Sequence, residues 1–349
     1  MSRSALVVGA GISGMTTAIA LRSAGWRVDL EDQGTRLDDR GAALGIWPHA
    51  WRGLTMLGVT DKIRDAFDYT SATIRSRQGN VMGHLPLASI ERSQGAPVRL
   101  VLRPMLMQAL LETLERDSGP EITFGSRFDP QRDTSTYDLV VGADGINSRV
   151  RGVVVPGAAG PRRLGATAWR GACEGHLGGW GEIWGRGMFA GVTPAGHHRT
   201  NWYVAVADSL AVDSVDDLLR LLTGWPEEIR EAVENTPTGS VLRHELLDLP
   251  PLGTFVRGRH VLVGDAAHAM APSLGQGACQ AIVDALELGR ACDTHEDIGA
   301  ALASYNMTQR RAGNRLVRRS RQLLRVQLSP RLAPMRNTVL QLARPLAPR

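Results

Sequence analysis

The hexapeptide Gly9-Ala-Gly11-Ile-Ser13-Gly14 constrains this chain more than any other stretch. It follows the apolar run Ser4–Val8 and opens a segment, residues 12–24, whose apolar positions recur at helical spacing. Residues 27–31 then read as a second strand, so the chain begins as a βαβ unit. In such a unit the first glycine permits a tight turn and the second lets the backbone approach a pyrophosphate. The third lets helix and strand pack closely. The phosphate charge is received at the amide end of the helix. Glu31 closes the second strand about twenty residues on, where a carboxylate accepts hydrogen bonds from a ribose. The pattern predicts a dinucleotide site with Gly9, Gly11, Ser13, Gly14 and Glu31 as candidate residues. The same start resembles the charged and apolar regions of a signal peptide, but the glycines and the helical pattern beyond them favour a first strand.

This fingerprint does not separate NAD from FAD. A second motif, Val261-Leu-Val-Gly264-Asp265-Ala-Ala-His268, is a strand ending in a carboxylate that suits a ribitol hydroxyl. Pro272-Ser-Leu-Gly275-Gln-Gly277-Ala278 then opens a helix whose exposed amides and dipole favour an anionic reduced flavin. By itself this stretch also reads as a capped turn and a loop. A third motif, Asp144-Gly145-Ile-Asn-Ser148-Arg149-Val-Arg151, follows the buried strand at residues 139–141 and alone fits any strand and turn.

Between and beyond these motifs, Pro48 opens a helix that ends by Gly58, and residues 104–114 form another. The character changes at residues 162–247, where aromatic, alternating stretches predict antiparallel strands, then helices near 215–222 and 227–234. A long helix is expected over residues 298–325, with Pro330 and Pro334 preceding a short last one. Eleven of the 40 basic residues lie from Ile298 to the end with no acid among them, leaving 29 against 35 acids elsewhere. Arg310, Arg311, Arg315, Arg318, Arg319 and Arg325 read as the solvated side of that helix, not as a nucleic-acid surface. No run of about eighteen apolar residues predicts a membrane span. Three cysteines without paired spacing (Cys173, Cys279, Cys292) indicate a reducing cytosol and neither a disulfide frame nor a metal site.

Taken together, these segments resemble the class A flavoprotein monooxygenases, the para-hydroxybenzoate hydroxylase-like family. Gly9 to Gly14 with Glu31 matches its FAD fingerprint, Asp144-Gly145 with Ser148 and Arg151 its Asp-Gly motif, and Gly264-Asp265 its Gly-Asp motif. Leu44-Gly-Ile-Trp-Pro48, Arg103 and Trp169-Arg-Gly171 are further matches, and the likeness runs to about Arg325. Asp32, His49 and Val283 depart from the family pattern without removing a motif glycine or aspartate. The resemblance implies non-covalent FAD, reduced by NADH or NADPH and reoxidised by O2 to a C4a-hydroperoxide that oxygenates an electron-rich substrate. It implies that Glu31 binds the adenosine ribose, that Arg40 and Arg103 lie near the phosphates or ribityl, and that Asp144 and Asp265 support FAD. It places Gly275, Gly277 and Ala278 against the isoalloxazine, with Pro272 beside it and its carbonyl able to face the substrate.

The expected fold is α/β: a Rossmann-type FAD-binding domain (residues 1–68, 100–161 and 248–325) with an inserted substrate domain on an antiparallel sheet (69–99 and 162–247). Residues 326–349 form a helical tail. The expected activity is NAD(P)H-driven hydroxylation or epoxidation of an aromatic or polyene-like small molecule by a cytoplasmic monomer or homodimer. An oxidase, dehydrogenase or reductase of the same fold, without oxygen insertion, is the alternative, and a non-catalytic flavoprotein is a further one. Trp169, Trp184, Trp202, Tyr203 and Pro272 are candidate substrate contacts. Arg170 either points into the substrate cavity or closes a strand-end ion pair. His268 reads as a structural histidine and His197-His198 as a surface turn. No acid–base pair is evident, as suits chemistry carried by a cofactor.

Overall fold

The fold is a computed structural model that describes residues 3–37, 41–116, 119, 121–237 and 239–342. Ser4–Val8 is wholly buried and pairs in parallel with Arg27–Asp32 on one side and Leu139–Gly142 on the other. A continuous aliphatic run of this kind suits a strand covered on both faces. It lies inside a six-stranded sheet in the order Val256–Arg257, His260–Leu262, Leu139–Gly142, Ser4–Val8, Arg27–Asp32, Ile122–Phe124. Ile12–Ser23 returns over this sheet with residues 13–21 all buried. It is hemmed in by helices Arg103–Leu114 and Gly277–Thr294. A Cβ on Gly289 would lie 2.8 Å from Ala20 Cβ, so that glycine sets how closely the two helices meet.

The second sheet has seven strands in the order Leu242–Asp248, Arg162–Glu174, Arg199–Ala207, Met188–Pro194, Gly181–Trp184, Thr73–Ser76, Val81–His84. Its pairs are antiparallel except Gly181–Trp184 with Thr73–Ser76. Helices Val215–Leu221 and Glu227–Glu234 bury one face, with Trp169, Ile183, Trp202 and Val204 in that layer. The other face carries Ala168, Trp184, Phe189 and Ala205 and packs on Ala271, Leu324 and Leu328. A small sheet, Ala43–Ile46, Val98–Leu102 and Phe67–Tyr69, adjoins this face. Asn201 Oδ1 accepts from Ala43 N at 2.9 Å, tying the two together.

The long helix runs Ile298–Leu328, three residues past the expected end, because Gln327 and Leu328 continue its buried side until Ser329-Pro330 stops it. At 31 residues it is about 46 Å long and reaches both sheets. Tyr305 OH donates to Leu262 O at 2.9 Å in the first sheet, while Leu324 and Leu328 enter the core of the second. Asp248, fully buried, accepts two hydrogen bonds from Arg162 (2.9 and 3.0 Å) and two from Arg321 Nη1 (3.1 and 3.3 Å). The last helix, Ala333–Leu342, contains Pro334 in its first turn, where a missing amide costs nothing, and does not follow it. Among the described residues no helix is long and apolar enough to cross a membrane.

Candidate functional site

The dinucleotide turn is built from two kinds of glycine. Gly9 (φ 105°) has no space for a side chain, because a Cβ would strike the Ala143 carbonyl, and a Cβ on Gly14 would strike the Gly9 carbonyl. Gly11, the N-cap of Ile12–Ser23, has no heavy atom within 4 Å of its missing Cβ. The first two are filled by the fold and the third faces open space at the positive end of a helix. Gly9 N donates to Glu31 O at 2.7 Å, which sets the strand end beside the turn. Glu31 Oε2 accepts from Ser126 Oγ (2.9 Å) and Arg132 Nη1 (2.8 Å). Its Oε1 is buried without a partner among the described residues. A buried carboxylate oxygen with nothing to accept from is costly unless a ligand supplies a donor. Asp32, where the family commonly has arginine, accepts from Ala10 N (2.7 Å) and Gly34 N (2.7 Å) and so holds the turn itself. Arg40 lies outside the described residues.

The other two motifs converge on this turn. A Cβ on Gly9 would lie 3.0 Å from Asp144 Cα, and one on Gly264 would lie 2.6 Å from Ser13 Oγ. Asp144 Oδ2 accepts from Arg149 N (2.7 Å) and Val150 N (3.3 Å), while Oδ1 is buried without a partner among the described residues. Buried Arg151 bridges the motifs, donating to Ile146 O (2.8 Å) and Ala266 O (3.2 Å). Asp265 begins the short helix Asp265–His268 and is exposed. Behind it, buried Asp284 accepts from Gly264 N (2.9 Å) and Gln280 Nε2 (2.9 Å) and meets His268 Nε2 at 2.5 Å. Burial alone would lower the His268 pKa, but the charge and hydrogen bond of Asp284, aided by Asp265, raise it. His268 is thus a structural partner of Asp284.

Past this network the turn Pro272–Leu274 leads into Gly277–Thr294. The missing Cβ positions of Gly275 and Gly277 have no heavy atom within 4 Å, and Pro272 and Gly275 are exposed. Ala278 follows in the first turn of the helix. The Pro272 carbonyl accepts from Gly275 N at 2.8 Å and so closes the turn. Arg103 heads its helix with its N–H on Ala42 O at 3.2 Å and its side chain packed against Gly41. The open backbone at Gly11, Gly275 and Gly277 and the orphaned oxygens of Glu31 and Asp144 fit an FAD laid across all three motifs.

Opposite lies the second sheet, and its alternation separates the four aromatic candidates. Trp169 and Trp202 face the helix layer, where Trp202 Nε1 donates to Thr236 Oγ1 at 2.7 Å. Trp184 and Tyr203 lie on the face that packs toward Ala271. Arg170 shares that face with Tyr203, its cross-strand partner. Among the described residues no acid pairs with Arg170; its Nε donates to His244 Nε2 at 2.5 Å. Burial and the Arg170 charge push His244 down to about 4, which keeps it a neutral acceptor. Burial and the nearby Arg103 charge also lower the Arg170 pKa. Glu182, which no sequence motif marked, accepts from Trp184 Nε1 (2.6 Å) and Tyr203 OH (3.1 Å). The available signal was one acid at a cleft-facing position of the otherwise apolar strand Gly181–Trp184. Among the described residues no cluster of His, Cys, Asp and Glu could hold a metal ion.

Residues 3–171 and 252–320 match the FAD binding domain family. The aurachin C monooxygenase/isomerase of Stigmatella aurantiaca is 33% identical over 333 residues, covering 89% of this chain and 86% of that protein. The FAD-dependent urate hydroxylase of Klebsiella pneumoniae is 29% identical over 329 residues, covering 86% of this chain and 84% of that protein. Among solved structures, Klebsiella pneumoniae HpxO complexed with FAD and uric acid matches with a TM-score of 0.89 at 27% identity. That match covers 98% of this chain and 93% of the other.

Proposed function

The chain belongs to the FAD binding domain family and is an FAD-dependent monooxygenase, and from that premise we propose that it hydroxylates an electron-rich aromatic small molecule at the expense of NADH or NADPH. The observation that carries this reading is backbone left bare at Gly275 and Gly277, just past Ala271, on which packs a sheet face bearing Arg170, Tyr203, Glu182 and Trp184. Glu31 takes a ribose hydroxyl on its unpartnered oxygen, and Gly11 admits the pyrophosphate to the helix amides. Asp265 holds the ribityl chain, and Gly275 and Gly277 let the ring lie flat on the backbone. Bound FAD supplies the activation of O2 and its insertion into the substrate. The surrounding side chains position the ring and keep bulk water out, which matters because a misplacement of about 1 Å costs on the order of a hundredfold in rate.

We assign residues 69–99 and 162–247 to the substrate side and the rest, up to residue 325, to the cofactor side. The three buried, unpaired cysteines support a reducing, cytosolic setting for a monomer or homodimer. The test is NAD(P)H consumption by the yellow protein under 18O2 against phenols, indoles, quinolones and polyketides. Substrate-stimulated consumption with one labelled oxygen atom in the product is expected. Consumption that yields only peroxide with every ring would favour the reductase or oxidase reading.

A further inference from the structure

The register of the second sheet sets four positions of its cleft-facing side in one row. Glu182 stands opposite Gly191, Gly191 opposite Tyr203, and Tyr203 opposite Arg170. Directly opposed residues share a face, and with strands about 4.8 Å apart the row spans about 14 Å of backbone. Gly191 makes the row continuous. A side chain there would collide with the Tyr203 ring, so its absence lets the phenol lean across the strand and donate to Glu182 Oε1 at 3.1 Å. Trp184 Nε1 (2.6 Å) and Gln327 Nε2 (3.4 Å) donate to Oε2.

All three of these donors are neutral, and among the described residues no cation pairs with Glu182. Around it are Ile74, Met82, Trp184 and Phe189, a setting that penalises a carboxylate. Burial accordingly raises the Glu182 pKa, against the pull of the hydrogen bonds from Trp184, Tyr203 and Gln327. This half-buried acid is kept at such cost on the sheet face that packs on Ala271, the residue before the Pro272–Leu274 turn. The far end of the row has the opposite sign, with Arg170 oriented by His244 beside the Arg103 charge.

We propose that Glu182 accepts a proton from the substrate, and that the row selects an aromatic ring with an N–H or O–H at one end and a carbonyl or similar acceptor at the other. The ring lies across Tyr203, its donor on Glu182 and its acceptor toward Arg170. The substrate N–H or O–H bond breaks, the proton passes to a carboxylate oxygen of Glu182, and the electron pair stays on the ring. The ring carbons become more nucleophilic, which is what insertion of an electrophilic oxygen requires. Rings whose only polar group is a carboxylate are disfavoured at the Glu182 end by like charge. This inference rests on the monooxygenase reading above and goes beyond it by naming the recognising residue and the donor it needs.

The test pairs 4-quinolone with 1-methyl-4-quinolone, and 1-naphthol with 1-methoxynaphthalene, in wild type, Glu182→Gln and Glu182→Ala. Binding is read from perturbation of the flavin visible spectrum, turnover from product, and the monooxygenase reading itself from FAD content and substrate-stimulated NAD(P)H consumption. In wild type the donor-bearing member of at least one pair should bind roughly tenfold or more tightly than its methylated analogue, the value of one hydrogen bond to a charged group. Glu182→Gln should narrow that preference to about threefold or less while FAD content, which Glu182 does not touch, stays unchanged. Its kcat/KM should also lose the rise with pH that accompanies loss of the Glu182 proton. The titratable or charged groups facing Glu182 are Tyr203, Tyr69 and, across the Trp184 ring, Arg336; both tyrosine pKa values are raised by burial. Those tyrosines therefore stay protonated through that range. A wild type with no donor preference in either pair, or a Glu182→Gln enzyme that keeps the preference and the pH profile, overturns the proposal. A wild type that holds no FAD, or whose NAD(P)H consumption no ring stimulates, would instead sink the monooxygenase reading.

Discussion

At the scale of single residues, what separates a structural glycine from a binding one is what a Cβ would touch. Gly9 and Gly14 sit against backbone that belongs to the fold, whereas Gly11 opens onto nothing within 4 Å. Its φ of −76° is one that any residue adopts, so no strain attends substitution. Gly11→Val should therefore cost the apo fold about 1 kcal/mol or less, the penalty of a poor N-cap. It should nonetheless abolish FAD retention, because the β-branched side chain fills the space the pyrophosphate needs. Absorbance near the flavin bands, set beside the melting temperature of the apo protein, checks both halves. A yellow variant would place the cofactor elsewhere. Gly9→Val, by contrast, should fail to fold, since its neighbour is the Ala143 carbonyl.

At the scale of elements, the Gly277–Thr294 helix does two jobs. Its N-terminus offers bare backbone, and about two turns further in Asp284 pins Gly264 and His268 behind the Gly-Asp motif. The long helix leaves room for this, because a Cβ on Gly313 would come within 2.6 Å of His268 Cδ2. Since the folded-state pKa of His268 is raised above 6.5, its protonation favours the folded state. That contribution is fully present below the unfolded value and is lost as pH rises through the folded one. Wild-type stability should thus fall as pH rises from about 6.5 through the raised folded-state pKa of His268, by an amount that Asp284→Asn removes. The substitution should also cost about 3 kcal/mol at the acid end, where it leaves a buried imidazolium without its counter-charge. Thermal melts of both proteins across that pH range measure it, and parallel curves would contradict the assignment.

At the scale of the whole molecule, Asp248 joins three parts that are distant in sequence. It sits at the end of an outer strand of the second sheet, binds Arg162 on the neighbouring strand and reaches Arg321 on the long helix. The same helix is anchored to the first sheet by Tyr305. The helix therefore ties the two sheets together through contacts toward both of its ends. Asp248→Ala should lower stability by about 2 kcal/mol, the worth of hydrogen bonds to a charged group. It should also raise proteolytic cleavage near the Arg162–Glu174 strand. Asp248→Asn, which keeps some of the acceptors, should fall between the two. Equal melting temperatures for all three proteins would show that the clamp contributes nothing.

Much of the cofactor side was legible in the chain itself, for a physical reason. Backbone that must turn tightly, approach a phosphate or admit another helix can only be glycine, and such requirements recur at fixed spacing within one βαβ unit. Gly9, Gly11, Gly14 and Glu31 are local in that sense, as are Gly264-Asp265 and Asp144-Gly145. The longer strands and helices around them followed from apolar periodicity, differing at ends such as Leu328 and Pro334, where burial by distant residues decided the last turn, whereas short elements such as Ile122–Phe124, Ala43–Ile46 and Val150–Val154 carry too few residues to show a period. The substrate wall could not be read this way. Whether Trp169 or Arg170 faces the cleft depends on which side of the sheet the helices Val215–Leu221 and Glu227–Glu234 cover, and periodicity of two is silent on that choice. The row from Glu182 to Arg170 exists only through the registers of four strands, and the Asp284 network only through a helix laid against a distant strand end. Residue type at fixed spacing determined the cofactor cradle, while strand pairing and layer order, which no local pattern encodes, decided what faces it.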